Sequence, residues 1–232
     1  MKRSPEKMVA VVTGASEGIG LAIARLLSAG GMTVVLAARS AGKLKKAAGK
    51  LAGAVAITAD LRKPADSAEL VRKTMRRFGR IDILVNNAGQ GLYAAFEKTG
   101  LKDLRSIMEL NVYAVMDLMQ KVIPIMRRQG RGRIINISSL VSKGYYPGLS
   151  AYASTKYALN ALSLTARKEL EKDGIVVSVM HPKMTATRFG QNAIGGKTAY
   201  NRSADTVSVD TAEAVAKKVI KLIESGEAEA AM

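Results

Sequence analysis

The stretch Thr13-Gly14-Ala15-Ser16-Glu17-Gly18-Ile19-Gly20 follows an apolar run and leads directly into an amphipathic segment. Glycines here permit a tight turn between a strand and a helix, and they let a ligand approach the backbone closely. The helix N-terminus presents free N–H groups and the positive end of the helix dipole, which suit a phosphate. The stretch therefore predicts a turn that binds a dinucleotide pyrophosphate. Its Gly-x-x-x-Gly-x-Gly spacing is weak evidence alone, and a purely structural turn is the alternative.

Outward from this turn, apolar runs of strand length alternate with longer amphipathic segments. The predicted strands cover residues 8–13, 33–38, 54–59, 81–85, 133–138 and 175–180, with 228–232 as a short seventh edge strand. The predicted helices cover residues 19–29, 41–51, 65–78, 101–128, 151–172 and 211–225. The strands are rich in Val and Ile and contain no internal proline, as in sheets covered on both faces. This alternation predicts an α/β fold, a Rossmann-type doubly wound parallel sheet of six or seven strands with helices on both faces.

The length of 232 residues fits one domain, 1–232, because no linker or internal repeat interrupts the pattern. One long irregular segment, about 183–210, predicts a substrate-binding loop, with disorder as the alternative. The absence of cysteine and the single histidine exclude disulfides and leave little for a metal site, so none is predicted. Neither a signal peptide nor a membrane span is recognisable, and a cytoplasmic location is expected.

The charge is strongly basic, with 36 Lys and Arg against 19 Asp and Glu. A net charge of +17 favours anionic partners such as nucleotide phosphates, nucleic acid or an acidic membrane surface. Aromatic residues make up 4% of the chain, which argues against a base-stacking surface for nucleic acid. The basic clusters are otherwise typical of solvated helix faces.

The end of the second predicted strand bears on the choice of nucleotide. Many NAD-binding proteins place an acidic residue here against the adenosine ribose, but this chain reads Ala38-Arg39. Arg39 can make charge-assisted hydrogen bonds to a 2′-phosphate, and Lys43 is close enough in sequence to assist. The pair Ala38-Arg39 therefore predicts a preference for NADP(H) over NAD(H), with a solvated arginine as the alternative.

Four further stretches follow in order: Asn86-Asn87-Ala88-Gly89, Asn111, Ser138-Ser139, and Tyr152-Ala153-Ser154-Thr155-Lys156. Together with the glycine-rich turn, they resemble the short-chain dehydrogenase/reductase family over nearly the whole chain. Several ordered motifs at these intervals are far more specific than any one of them.

Tyr152 and Lys156 are four residues apart, so they share one face of a helix. A tyrosine ordinarily has a pKa of about 10, too high for acid/base work at neutral pH. An ammonium about 4 Å away contributes roughly 4 kcal/mol at an effective dielectric of about 20, equivalent to about three pKa units. We therefore expect Lys156 to lower the pKa of Tyr152. The alternative is a buried tyrosine, a surface lysine and a capping serine without a common role.

The resemblance implies roles for four catalytic residues, Asn111, Ser139, Tyr152 and Lys156. Ser139 would bind the reacting oxygen, Tyr152 would act as acid or base, and Lys156 would bond the nicotinamide ribose. Asn111 would hold a water that links Lys156 to solvent. The implied reaction is hydride transfer from the reduced nicotinamide to a carbonyl carbon while Tyr152 protonates the oxygen, or the reverse.

The resemblance, together with the turn and Arg39, also implies a set of cofactor-binding residues. These are Gly14, Ser16, Glu17, Gly18, Ile19, Gly20, Arg39, Asp60, Leu61, Asn87, Ala88, Gly89, Tyr152, Lys156, Pro182, Thr185 and Thr187. The chain departs from the family pattern at Lys183, where a glycine is common. His181 is expected to be a packed or capping residue rather than a catalyst.

These observations leave three functions open. The first is an NADPH-dependent reductase that acts on a small-molecule carbonyl, such as a ketone or a 3-oxoacyl compound. The second is a regulatory protein that keeps the fold and the cofactor without turnover. The third, nucleic-acid binding through the basic charge, is not expected. By resemblance, we expect a homodimer or homotetramer.

Overall fold

Seven strands form one sheet in a computed structural model that describes residues 7–195 and 209–232. They are β1 Val9–Thr13, β2 Thr33–Ala38, β3 Val55–Thr58, β4 Ile83–Asn86, β5 Gly132–Ile137, β6 Ile175–His181 and β7 Glu229–Ala231. All neighbouring strands pair in parallel, in the order β3-β2-β1-β4-β5-β6-β7. The predicted parallel sheet is confirmed, including its short seventh strand.

Within residues 7–195 and 209–232, seven α-helices cover both faces of this sheet. They are α1 Gly18–Ala29, α2 Ala41–Ala48, α3 Pro64–Phe78, α4 Leu101–Met108, α5 Ala114–Gln129, α6 Ser150–Leu170 and α7 Ala212–Ser225. Along β1, Val9 and Val11 pack with α3, α5 and α6, whereas Ala10 and Val12 pack with α1, α2 and α7. Because side chains alternate between the two faces and both faces are buried, the strands are continuously apolar.

The prediction of a single long helix over residues 101–128 is wrong in one respect. A π-helical turn at Glu109–Tyr113 separates α4 from α5, and Asn111 lies inside it. Such turns insert one extra residue into a helix and are frequent at functional sites. Hydrophobic periodicity continues across the insertion, so the sequence pattern does not reveal it.

The sheet order places a crevice at the carboxyl ends of β1 and β4. The chain builds β1, β2 and β3 outward and then returns to place β4 against the other side of β1. Ligands of doubly wound folds bind where the strand order reverses in this way. Within the described ranges, no helix is long and apolar enough to cross a membrane.

Candidate active site

The glycine-rich turn after β1 has no room for side chains at its glycines. Gly14 and Gly18 have φ values of 62° and 59°, in the left-handed region. A Cβ added to Gly20 would lie 2.5 Å from Asn87 Nδ2 and 2.6 Å from Gly14 O. The helix α1 begins at Gly18, and the side chain of its N-cap, Glu17, makes no capping hydrogen bond. The turn therefore fits the predicted pyrophosphate site, with exposed backbone N–H groups at the start of α1.

The Asn-Asn-Ala-Gly segment after β4 holds this turn in place. The backbone N–H groups of Asn87 and Ala88 donate to Thr13 Oγ1 at 2.9 and 3.0 Å. The Asn87 side chain donates to Thr13 O at 2.9 Å and to Gly14 O at 3.3 Å. The segment therefore connects the ends of β1 and β4, where the strand order reverses. The side-chain amide of Asn87 makes part of this connection.

Cationic side chains collect beside the ends of β2 and β3. Arg39 is exposed directly after β2 and forms no hydrogen bond or ion pair with any described residue. The pKa of Arg62 is lowered, first by burial and then by the charge of Arg39. Lys43 forms an ion pair with Glu17 at 3.0 Å. Ser16 and Lys43 also line a cavity of about 210 Å³ between α1 and α2. The predicted 2′-phosphate site is thus electropositive and its arginine is available.

Asp60 and Leu61 follow β3, and a hydrogen bond joins this segment to the start of α3. The backbone N–H of Asp60 donates to Asp66 Oδ2 at 2.8 Å, and Leu61 is buried. Arg62, which the sequence reasoning missed, donates to the side-chain oxygen of Gln90 at 2.6 Å. This contact joins the segment after β3 to the segment after β4. An arginine after Asp-Leu carries no motif signal that could have indicated it.

The predicted catalytic side chains converge at the start of α6. Tyr152 and Lys156 lie one turn apart and are 8% and 5% exposed. Lys156 Nζ donates to the carbonyl of Ile137, at the end of β5, at 2.9 Å and lies 5.8 Å from the centroid of the Tyr152 ring. Ser139, two residues after β5, lies near enough to Tyr152 that its hydroxyl lowers the pKa of the phenol. The structure therefore brings the buried Tyr152 and Lys156 together with the partly buried Ser139.

The expected effect of Lys156 on Tyr152 is wrong. Burial raises the pKa of Tyr152 above its ordinary value, and the hydrogen bond from Ser139 offsets only part of this rise. Burial also lowers the pKa of Lys156 to about 8. The ammonium faces the tyrosine ring and binds a backbone carbonyl, so removal from water is the dominant effect on both groups. The phenol of Tyr152 is therefore protonated at neutral pH, which is the state of a proton donor.

The side chain of Asn111 is held by hydrogen bonds to residues outside its own helix. Its side chain accepts a hydrogen bond from the backbone N–H of Gln90 and donates to the carbonyl of Gln90, both at 2.9 Å. It also donates to Thr155 Oγ1 at 3.1 Å. A Cβ added to Gly89 would lie 3.2 Å from Asn111 Oδ1 and 3.8 Å from Lys156 Nζ. Asn111 and Lys156 therefore flank the same glycine.

The segment after β6 brings Pro182, Thr185 and Thr187 to the same edge. Pro182 and Thr185 are buried, and Thr185 forms a short parallel bridge with Asp210. A Cβ added to Gly18 would lie 3.2 Å from Thr187 Cγ2, so Thr187 packs against the glycine-rich turn. The structure thus places Thr187 beside the predicted pyrophosphate site, with its methyl group towards Gly18 and its hydroxyl accepting a hydrogen bond from the backbone N–H of Phe189.

Lys183, which occupies the usual glycine position, has a specific partner. Its ammonium lies 3.4 Å from Asp210 Oδ1, which joins the start of the predicted substrate loop to its end. Residues 196–208 of that loop lie outside the described residues.

Phe189 is a further aromatic residue at the site that sequence reasoning missed. Its ring centroid lies 5.7 Å from that of Tyr152, with an angle of 52° between the rings. A Cβ added to Gly91 would lie 3.2 Å from the Phe189 ring. The only signal for Phe189 in the sequence is an aromatic residue within a polar loop.

A family model described as "short chain dehydrogenase" matches residues 8–197. The chain belongs to the short-chain dehydrogenase family. It is an NAD(P)-dependent oxidoreductase that acts on CH–OH and C=O groups. This membership confirms the resemblance that the ordered motifs indicate.

Two relatives and one solved structure illustrate the similarity of this short-chain dehydrogenase to known proteins. Dehydrogenase/reductase SDR family member 7B of Mus musculus is 32% identical over 228 residues, which cover 90% of this chain and 71% of the relative. Ketoacyl reductase HetN of Nostoc sp. is 34% identical over 221 residues, covering 93% and 75%. A short-chain dehydrogenase from Sphingobium yanoikuyae in complex with NADPH superposes with a TM-score of 0.86 at 29% identity, covering 97% and 87%.

Proposed function

We propose that this short-chain dehydrogenase is an NADPH-dependent reductase that converts a ketone, with 3-oxoacyl compounds among the candidates, into an alcohol. The observation that carries the proposal is the buried Tyr152, which lies near Ser139 and one helical turn from the buried Lys156. The names of two similar proteins agree with it, since one is a ketoacyl reductase and the other binds NADPH.

The reaction needs a hydride at the carbonyl carbon and a proton at the carbonyl oxygen. The reduced nicotinamide, when bound, supplies the hydride. Tyr152 donates its phenolic proton to the oxygen, while Ser139 binds that oxygen and orients it. Lys156 holds the nicotinamide ribose and, with Asn111 on the other side of Gly89, returns a proton to Tyr152 from solvent. One hydride and one proton together give the alcohol.

The protonation state of the buried Tyr152 is the one that reduction requires. Reduction needs a protonated phenol, and burial raises the pKa of Tyr152 so that this form persists at neutral and mildly alkaline pH. Alcohol oxidation needs the phenolate, which the same burial disfavours.

The preference for NADPH over NADH rests on Arg39. Its exposed guanidinium stands directly after β2 without a partner among the described residues, so it is available to a 2′-phosphate. Ser16 of the glycine-rich turn lines one cavity with Lys43. Lys43 would contact the same phosphate with a charge that is partly neutralised by its ion pair with Glu17.

The substrate is proposed to bind among the segments 90–94, 140–149 and 183–210, within a single domain that spans residues 1–232. Phe189 covers one side of Tyr152, and Tyr146 is half exposed in the second segment. These aromatic side chains favour a substrate with an apolar portion next to the carbonyl.

A homodimer or homotetramer is proposed for the assembly. The side chains of Tyr113, Met116, Tyr157 and Leu162 are exposed on the π-helical turn, α5 and α6. Apolar residues that are solvent-exposed on neighbouring helices favour a second copy of the chain as their cover. Light scattering after size-exclusion chromatography tests this, and a mass of 24.6 kDa at micromolar concentration would contradict it.

The proposed activity is tested by NADPH consumption across a panel of ketones that includes 3-oxoacyl esters. We expect the wild type to oxidise NADPH with at least one class, and we expect Tyr152→Phe to lose about 10²–10⁴ in rate. NADPH binding, measured by fluorescence, serves as the control and stays unchanged. A wild type that binds NADPH, reduces no ketone and is unaffected by Tyr152→Phe would favour the regulatory alternative.

A further inference from the structure

The only histidine of the chain is buried beside the catalytic serine. His181 ends β6, is 1% exposed, and places its Nε2 2.8 Å from Glu229 Oε1 on β7. Lys143 Nζ donates to the same carboxylate oxygen at 2.8 Å. The hydrogen bond from Lys143, with a smaller contribution from His181, lowers the pKa of Glu229. Glu229 is therefore ionised at neutral pH and accepts from both side chains at once.

The other edge of the His181 ring faces the backbone of Ser139. Nδ1 lies 3.4 Å from Ser142 Oγ and 3.5 Å from the carbonyl oxygen of Ser139. Ser142 Oγ donates to that carbonyl at 2.6 Å and accepts from Asn160 Nδ2 at 2.9 Å. The carbonyl of the catalytic serine is thus held by Ser142, with His181 directly behind both groups.

These contacts hold both ends of one short 3₁₀ turn. Ser139 is the N-cap of the 3₁₀ turn Leu140–Lys143, and Lys143 is its last residue. Glu229 reaches the start of the turn through His181 and its end through Lys143. The two ends of the turn are therefore held by one carboxylate, and the Ser139 side chain, which accepts from the backbone N–H of Val141, stands at the first of them.

We propose that Glu229 is a positioning residue, which acts through His181 and Lys143 to hold the turn that presents Ser139 to the reacting oxygen. The inference rests on the proposed reductase function. Removal of the carboxylate leaves the buried Nε2 of His181 without its acceptor among the described residues, and it releases Lys143. Small displacements of a group that orients a substrate lower the rate of the chemical step more than they affect cofactor binding.

The first test compares Glu229→Ala with Glu229→Gln. We expect Glu229→Ala to lower kcat for ketone reduction about tenfold, with NADPH affinity within twofold of the wild type. Glu229→Gln keeps a side-chain oxygen that accepts from His181 and Lys143, and it retains kcat to within about threefold. Glu227→Gln removes an exposed carboxylate two residues earlier and leaves both parameters unchanged. Equal activity of Glu229→Ala and wild type would overturn the proposal.

The second test asks whether Glu229 acts through Ser139. In single-turnover reactions followed for hours, the double variant Ser139→Ala/Glu229→Ala is expected to match Ser139→Ala within twofold, because both changes remove the same interaction. A further tenfold loss in the double variant would assign Glu229 a separate structural role and overturn the proposal. If Glu229→Ala fails to fold, Lys143→Met breaks the contact at the exposed end of the turn, and we expect about a threefold loss of kcat. An unchanged kcat for Lys143→Met would then be the contradicting result.

These experiments separate the inference from the proposed function. Loss of activity in Tyr152→Phe and Ser139→Ala, together with full activity in Glu229→Ala, contradicts only the inference. Full activity in Tyr152→Phe and Ser139→Ala contradicts the proposed function itself.

Discussion

The glycine-rich turn after β1 and the segment after β6 touch where Thr187 packs against Gly18, but they are held by different means. The turn is fixed by backbone atoms and by close contacts with Asn87 that leave no space for a Cβ. The segment after β6 is joined to the chain before α7 by a short bridge at Thr185 and by the ion pair of Lys183.

The two regions therefore differ in how strongly their structure restricts the sequence. The glycine-rich turn, the proposed cofactor side, is built from steric constraints that permit few residue types, so a motif identifies it. The segment after β6, part of the proposed substrate side, is held by partly exposed side-chain contacts, and loop contacts of this kind tolerate substitution.

The largest effect is expected at Gly20, the tightest position of the turn. In Gly20→Ala the new Cβ collides with Asn87 and Gly14, and we expect NADPH affinity to fall about 100-fold. Gly42→Ala in α2 is the matched control, because a Cβ there meets nothing within 4 Å. The control is expected to gain about 0.5–1 kcal/mol of stability. Fluorescence titration measures NADPH affinity and denaturant unfolding measures stability. Normal NADPH binding by Gly20→Ala would contradict the claim that steric constraints fix the glycine-rich turn.

The next effect concerns Lys156, which belongs to neither region and is buried on α6. Burial lowers its pKa to about 8, so between this pH and the usual lysine range the unfolded chain binds more protons than the folded chain. The free energy of unfolding of the wild type, relative to Lys156→Met, should therefore rise from pH 8 to pH 10, by about 2 kcal/mol. Urea unfolding without added nucleotide at three pH values measures this. Parallel curves for the two proteins would contradict it, and the exposed Lys98→Met should follow the wild type.

A smaller effect is expected at Arg39. A hydrogen bond to a charged group contributes about 1.5–3 kcal/mol, so Arg39→Ala should weaken NADPH binding about 10–100-fold and leave NADH binding unchanged. Arg76→Ala removes the same charge near the end of α3 and serves as the control. Equal affinities of the wild type for NADPH and NADH would refute the preference.

The smallest effect is expected from the ion pair of Lys183. Both partners are partly exposed, and such pairs contribute at most about 1 kcal/mol. We therefore expect Lys183→Met to raise KM for the ketone less than about fivefold, with NADPH binding unchanged. Asp210→Asn should behave alike in steady-state kinetics. A loss as large as that of Gly20→Ala would show that the two regions are not held differently.

Local sequence patterns predicted much of the fold. The strand β2 has the predicted bounds, and the alternation of strands and helices indicated the parallel sheet, because both features depend on burial along a few neighbouring residues. The glycine-rich turn and the pair Tyr152 and Lys156 were recognisable because their chemistry demands fixed residue types at fixed spacing.

Other features depend on contacts between distant residues, which no local pattern records. The π-helical turn contains Asn111, whose side chain is bonded to the backbone of Gln90. The pKa of Tyr152 moves opposite to the expectation because burial, a property of the folded chain, outweighs the neighbouring charge. Glu229 on β7 contacts the 3₁₀ turn Leu140–Lys143 through Lys143, and no sequence motif indicates this contact.

The transfer of deuterium from C4 of labelled NADPH to a ketone tests the central claim most directly. The account predicts that the wild type forms an alcohol with deuterium on the former carbonyl carbon, and that Tyr152→Phe forms this product at least about 100-fold more slowly while binding NADPH normally. Oxidation of NADPH without deuterium in the alcohol, or an undiminished rate in Tyr152→Phe, would contradict it.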